Sequence, residues 1–271
     1  MRLSLVTAAA VALSAAATPI ERASTSGIND YDCKAQPGKE PIVFLHGLPA
    51  PPGLNFLTKL PVFASKGYCV FAPTYGTTAG IIFAGAKVED SSKEIAGVVD
   101  KVLASTGASK VNLVAHSMGT LVAAYYLKFD GGGDKVKTYV GFGPVYNGTT
   151  EASLRLLKQW IPGLTDAFCP GCIDAVPPSD VIDRLHEGGV TVPGPTYTNI
   201  MSKLDLQVTP YTSGRIDEEG AKNIVLQDAC PSDIAGHIGM AVDPNISNMI
   251  QWAIDGRNGP LPKCKPFFLA I

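Results

Sequence analysis

The chain has 271 residues, 46% hydrophobic and 17% charged, with a formal net charge of −2. That length and apolar content suit one large domain, and a near-neutral chain with no strongly basic stretch lacks the electrostatic reason to bind nucleic acid. Its natural partner is a small or apolar molecule.

In chain order, Met1-Arg2 followed by Leu3 to Ala17 has the charged start, short apolar core and Ala-rich end of a secretory signal peptide, with cleavage expected after Ala17. The core is shorter and richer in Ala than the roughly 20 apolar residues of a membrane span, and no other run approaches that length. The expected product is a secreted, extracellular, monomeric protein with a single catalytic domain over 18–271. Pro41 to Leu45 reads as the first strand and leads into His46-Gly47-Leu48; Cys69 to Ala72 reads as the second. Glu89 to Ala104 is a helix, because Ile95, Val98, Val99, Val102 and Leu103 recur at helical spacing. A third strand, Val111 to Ala115, runs into Ala115-His116-Ser117-Met118-Gly119. The helix after Ser117 shows little polar face from Leu121 to Leu127, as a helix buried on a sheet would. Val136 to Gly141, Tyr197 to Met201 and Asn223 to Gln227 complete the strands, and their alternation with helices predicts an α/β fold: a mostly parallel central sheet covered by helices on both faces.

Between the strand ending near Gly143 and the one starting at Tyr197 lies an insertion rich in Pro and Gly. It holds an amphipathic segment, Glu151 to Ile161, with Leu154, Leu156, Leu157, Trp160 and Ile161 on one side and Arg155, Lys158 and Gln159 on the other. Such a stripe is usually a core face. Beside an active-site mouth it also suits a helical lid, expected over 147–177, that exposes its apolar side at a lipid surface.

Small residues around Ser117, directly after an apolar strand, are how a serine nucleophile is set on a sharp strand-to-helix turn, which predicts ester cleavage. A serine hydroxyl needs a histidine base and an acid to orient it, and this architecture supplies them in the order Ser, Asp or Glu, His. Of the four histidines, His46 ends an early strand, His116 adjoins the nucleophile and His186 precedes the best acid candidate, so His237 is the expected base. Asp205 leaves the end of the fifth strand, where open α/β sheets place their chemistry. Asp228 also follows a strand-like run and remains a rival; Asp174, Asp180, Asp183, Asp217 and Asp233 are weaker candidates. For the oxyanion, the Met118 amide follows the nucleophile at a helix start, and Leu48, after His46-Gly47, is the expected second donor. Gly47 could alternatively serve only a tight turn.

These stretches, with Gly67-Tyr68-Cys69-Val70-Phe71-Ala72, Asp205 to Tyr211 and Asp228 to His237, resemble secreted triacylglycerol lipases of the class 2 kind, as found in filamentous actinomycetes and fungi, over nearly the whole mature chain. The resemblance implies the α/β-hydrolase fold, a triad of Ser117, Asp205 and His237, and an oxyanion hole at Leu48 and Met118. Two departures stand out: Ala115 replaces the first Gly of the common G-x-S-x-G pattern, and Thr120 stands where small bacterial lipases often carry Gly. The six cysteines fit three bridges in an oxidising compartment, and spacing alone does not choose their pairing. The resemblance, with the short span of the middle pair, points to Cys33 with Cys69, Cys169 with Cys172 and Cys230 with Cys264. A redox role for Cys169-Pro170-Gly171-Cys172 would need a cytosolic βαβ context that the sequence does not offer.

Asn147-Gly148-Thr149 and Asn245-Ile246-Ser247 are candidate glycosylation acceptors. The chemistry requires no metal and no organic cofactor, and no His-x-x-x-His pair or acidic calcium loop suggests one. The partner is a lipid or other ester. A carboxylesterase or cutinase acting on soluble or polymeric esters would use the same residues, a peptidase has only the fold in its favour, and a noncatalytic lipid binder would be expected to have lost Ser117, Asp205 or His237.

Overall fold

A computed structural model of the chain describes residues 28–151, 163 and 167–270. Six strands form one parallel sheet: β1 (Ile42–Leu45), β2 (Val70–Phe71), β3 (Val111–His116), β4 (Val136–Phe142), β5 (Thr196–Met201) and β6 (Ala221–Val225), in the order β2-β1-β3-β4-β5-β6. Successive side chains of a strand point to opposite faces, and the strand sequences use both. Val43, Leu45, Leu113 and Tyr139 enter one core with Ile95, Val99 and Val102 of helix α3 (Val88–Thr106) and with Leu121 to Leu127 of helix α4 (Met118–Phe129). Ile42, Phe44, Val114, Val140 and Phe142 enter the other. There they meet Phe56, then Leu60 and Phe63 of helix α2 (Lys59–Ser65), and Ile246, Met249, Ile250 and Ala253 of helix α7 (Pro244–Ile254). Each such fully buried aliphatic or aromatic side chain contributes about 1.5–3 kcal/mol, and the doubly covered sheet rests on that sum.

The elements between these are shorter. Helix α1 (Pro52–Asn55) begins with proline in its first turn, helix α5 (Asp180–His186) is capped by the Ser179 hydroxyl, and helix α6 (His237–Val242) starts directly at the histidine. One boundary differs from the sequence reading. The expected strand Asn223 to Gln227 ends at Val225, because Leu226–Ala229 turns into a short helix, so Gln227 and Asp228 leave the strand path. Leu226 is fully buried, which explains why its apolarity extended the apparent strand.

The three disulfides join Cys33 to Cys69, Cys169 to Cys172 and Cys230 to Cys264, as the resemblance implied. The first fastens the amino-terminal segment beside β2, and the third fastens the carboxyl-terminal tail to the region after β6. Among the described residues no helix is long and apolar enough to cross a membrane. The expected leader at 1–17 and most of the expected amphipathic segment, including Leu154, Leu156, Leu157, Trp160 and Ile161, lie outside the described residues.

Candidate active site

Parallel register brings the carboxyl ends of four strands into line: Leu45 pairs with Ala115, His116 with Phe142, Phe142 with Ile200, and Met201 with Val225 one strand further. Chain leaving these ends therefore converges on one edge of the sheet, where His46, Ser117 and Asp205 emerge. Ser117 sits between β3 and α4 with φ 55° and ψ −129°, a backbone conformation that side chains other than glycine rarely adopt. Its hydroxyl is thereby held out at the head of α4, at a cost in strain of order 1–3 kcal/mol.

His237 and Asp205 meet it there. The carboxylate Oδ2 of Asp205 accepts the His237 Nδ1–H at 2.6 Å, which leaves Nε2 to accept the Ser117 hydroxyl at 2.7 Å. Both side chains are nearly fully buried. The other carboxylate oxygen, Oδ1, accepts the backbone amides of Gln207 at 2.9 Å and Val208 at 2.7 Å, so the whole carboxylate is fixed before the histidine is considered. The rival acid is elsewhere: Asp228 is exposed and pairs with Lys203. Asp174 accepts the Val88 amide, Asp217 pairs with Arg215, and Asp233 is buried against Asn245. His186 lines an open polar cleft of about 670 Å³ with Asn147, Arg215 and Glu218, and its Nε2 lies 3.1 Å from the Tyr146 carbonyl. Of the four histidines, the structure brings only His237 to the serine hydroxyl.

The loop after β1 passes directly over the serine. A Cβ placed on Gly47 would lie 2.7 Å from the Ser117 Cβ, so glycine here serves close approach rather than a turn alone. Gly119 answers to the same constraint from below, since its Cβ would lie 2.4 Å from the Leu45 carbonyl oxygen. The Gly47 amide is already engaged by the Asn55 Oδ1 at 2.7 Å, whereas the amides of Leu48 and Met118 have no acceptor among the described residues.

The part that several residues play in shaping the site was not readable from the sequence. Thr120, the departure from the small bacterial pattern, donates its hydroxyl to the Ser117 carbonyl at 2.6 Å and accepts the Val145 amide at 3.0 Å, fastening the nucleophile turn to the loop after β4. Lys59 is fully buried, and its Nζ reaches the carbonyls of Met240 at 2.9 Å and Ala241 at 2.8 Å, the last turn of the helix that His237 opens. Burial pushes the Lys59 amine down to about 7 despite the attraction of Asp243. A buried lysine reads as a surface residue from composition. Among the described residues no group of His, Cys, Asp or Glu could hold a metal ion. Of the candidate glycan acceptors, Asn147 is exposed, whereas Asn245 is 3% exposed and donates from Nδ2 to the Asp233 carboxylate and the Lys265 carbonyl, both at 2.7 Å. With that nitrogen enclosed, the folded chain has no room for a glycan at Asn245.

Two buried histidines flank the serine turn. Burial lowers the His46 imidazole to about 4, opposed by its contact with the Gly47 carbonyl, and holds His116 well below the ordinary histidine range. Because the folded value lies below the unfolded one, the unfolded chain binds more protons between roughly pH 6.5 and 4. Stability is therefore intact above that window and falls as pH drops through it, by up to about 3 kcal/mol from His46 alone. Urea unfolding at neutral pH and near pH 4 should show the loss, and a folded His46→Phe variant should lose less than the parent over the same interval; equal slopes would contradict the assignment.

A central parallel sheet with a serine on a strained turn between β3 and α4, reached by a histidine and an aspartate from later loops, defines an α/β-hydrolase. A family model for class 2 lipases matches residues 39–237, and the chain belongs to that family. Among solved structures it is similar to Aspergillus fumigatus lipase B, at 20% identity and a TM-score of 0.66 over 83% of this chain and 54% of that one. It therefore spans about half the length of that lipase. Bacillus licheniformis lipase BlEst2 in its mature form matches at 16% identity and a TM-score of 0.55, over 73% of this chain and 87% of that one. An epoxide hydrolase from Vigna radiata matches at 15% identity and a TM-score of 0.52, over 82% of this chain and 92% of that one. At such identities the likeness is one of fold.

Proposed function

We propose that the protein is a secreted serine ester hydrolase acting on triacylglycerols through an acyl-enzyme. The observation that carries this reading is the unbroken relay from Ser117 Oγ through His237 to Asp205, with both hydrogen bonds at 2.7 Å or less and the acid held by two backbone amides. Ser117 Oγ attacks the ester carbonyl carbon while its proton passes to His237 Nε2, and the carbonyl oxygen becomes an oxyanion facing the Leu48 and Met118 amides. The oxyanion collapses, the carbon–oxygen bond to the alcohol breaks, and His237 returns the proton to the departing alkoxide. Water, deprotonated by the same histidine, then attacks the acyl-serine and releases the fatty acid. Asp205 keeps the proton of His237 on Nδ1 and stabilises the imidazolium that forms twice in the cycle.

The choice of lipid over soluble ester is supported by family membership and by what lies beside the relay. Leu204 and Leu206 flank Asp205, and Ile238 follows His237; these side chains are 40%, 74% and 50% exposed. Ile81, 73% exposed, lies two residues before Phe83, whose ring meets the His46 ring edge-on at the same sheet edge, and Phe168, 46% exposed, is tied to that segment where the Thr78 hydroxyl donates to its carbonyl. Apolar side chains of this size left in water around a site suit a lipid surface. The lid at 147–177 would add to them. Secretion is supported by the leader at 1–17 and by three disulfides.

A p-nitrophenyl ester series from short to long acyl chains, run beside a triglyceride emulsion, tests the assignment. We expect turnover of the emulsion, and we expect the double change Ile81→Asp and Phe168→Asp to lower emulsion activity about tenfold or more, since each buried methylene lost at the interface is worth about 0.8 kcal/mol, with the short soluble ester little affected. Turnover of short soluble esters alone would make the enzyme a carboxylesterase, and equal losses on both substrates would remove the lipid-surface role.

A further inference from the structure

The relay does not use Asn55 or His116, yet the two form a second buried chain beside it. Asn55 is 7% exposed and His116 4%. Asn55 Oδ1 accepts the Gly47 amide at 2.7 Å, which fixes which end of the side-chain amide is oxygen. Its Nδ2 then faces His116 Nδ1 at 2.9 Å, and an N–H there needs a lone pair to donate to. At the far side of the ring, His116 Nε2 lies 3.1 Å from the His237 backbone carbonyl, which can only accept. Nδ1 also lies 3.3 Å from Asn55 Oδ1, but that oxygen already accepts from Gly47 and a proton on Nδ1 would face the nearer Nδ2–H, so every link is best satisfied with His116 neutral and its proton on Nε2. The ring is stacked on Phe142 with centroids 4.7 Å apart and tilted against the His237 ring, also at 4.7 Å. The chain thus runs from the loop expected to bind the oxyanion to the backbone of the expected base, behind the serine.

We propose that Asn55, acting through the Nε2–H tautomer of His116, is a positioning residue that sets the oxyanion loop and the His237 imidazole relative to one another; the proposal rests on the ester-hydrolase reading above. By consuming the Gly47 amide, Asn55 turns that loop so that the next amide, of Leu48, is the one left for substrate. By fixing the His116 tautomer, it supplies the donor that holds the His237 carbonyl. Neutrality matters as much as position, because a cation on His116 would sit against the His237 ring and oppose the imidazolium that catalysis must form. Burial favours the neutral ring, and a positive charge on His237 or Lys59 would push the same way, against the bond to the His237 carbonyl, which favours a proton.

The test pairs a spectroscopic readout with kinetics. In ¹⁵N-histidine-labelled wild-type enzyme, His116 should show the Nε2–H tautomer and should stay neutral across the ordinary histidine range, because burial holds it well below that range. In Asn55→Asp the oxygen for Gly47 remains, but Nδ2–H is replaced by a second acceptor, so His116 should take a proton on Nδ1. The cation should lower kcat on a short soluble ester about 10- to 100-fold with KM within about twofold, when measured well below the unfolding temperature of the variant. Asn55→Leu should lower kcat comparably without protonating His116. An Nδ1–H tautomer or an ordinarily titrating His116 in the wild type overturns the proposal, as does a folded Asn55→Asp enzyme with kcat within about twofold of the parent. The wild-type tautomer stands as a test even if both variants fail to fold. Fluorophosphonate reaction at Ser117 separates the two levels: a labelled serine with the wrong His116 tautomer sinks the positioning role alone, whereas an unreactive serine sinks the hydrolase reading and this proposal with it.

Discussion

Asp205→Asn is expected to lower kcat on a soluble p-nitrophenyl ester by about 10⁴-fold while leaving the fold intact. The reason lies in how the carboxylate is held. Oδ1 accepts two backbone amides, and an asparagine oxygen can keep both, so the new NH₂ group must occupy the place of Oδ2. It would then point an N–H at His237 Nδ1, which today donates to Oδ2 at 2.6 Å. The imidazole can accept that bond only by carrying its own proton on Nε2, the nitrogen that has to take the proton of Ser117. The variant should thus be a stable enzyme locked in the wrong tautomer. A kcat within about tenfold of the parent would show that Asp205 is not the orienting acid.

Ser117→Gly should be nearly inactive and yet more stable than the parent. Loss of the nucleophile lowers kcat by about 10⁶-fold in enzymes built on such a triad. Glycine, however, adopts φ 55° without the steric cost that serine carries, and relief of that strain should raise stability by about 1 kcal/mol, or roughly 2–4 °C in Tm for a chain of this size. Ser117→Ala should match the loss of activity without the gain, because alanine keeps the Cβ. If the glycine variant were no more stable than the alanine variant, the turn would not be strained, and calorimetry on the two proteins decides it.

The sheet was legible because the inner strands β1 and β4, buried on both faces, read as apolar runs and the rest as short β-branched or aromatic runs between turn residues, and all six expected strands exist with ends within two residues. The strained turn at Ser117 was legible for a related reason, since small residues directly after an apolar strand mark such a turn, whereas the role of Gly47, left open between the oxyanion loop and a tight turn, needed the close approach of the Ser117 Cβ to decide it. The acid was harder. Asp205 and Asp228 both follow strand-like runs, and what separates them is tertiary: Leu226–Ala229 turns away from the sheet and leaves Asp228 exposed beside Lys203, whereas Asp205 is buried against His237. Asn55, Thr120 and Lys59 were not legible at all. A single polar residue carries no period, and each depends on a distant partner: Asn55 on His116, 61 positions away, Thr120 on Val145, 25 away, and Lys59 on Ala241, 182 away. Thr120 looked like a departure from a pattern, and its hydroxyl proves to bind the carbonyl of the nucleophile itself.

The central claim is that the Ser117 hydroxyl, drawn out by His237, is the nucleophile. Incubating folded enzyme with a fluorophosphonate and mapping the adduct by peptide mass spectrometry measures this most directly. One phosphonyl group per chain is expected, on Ser117, forming at a rate that tracks the loss of ester hydrolysis and strongly slowed in His237→Ala. Hydrolysis that survives complete modification of Ser117, or an adduct that forms on another residue while Ser117 stays free, would contradict it.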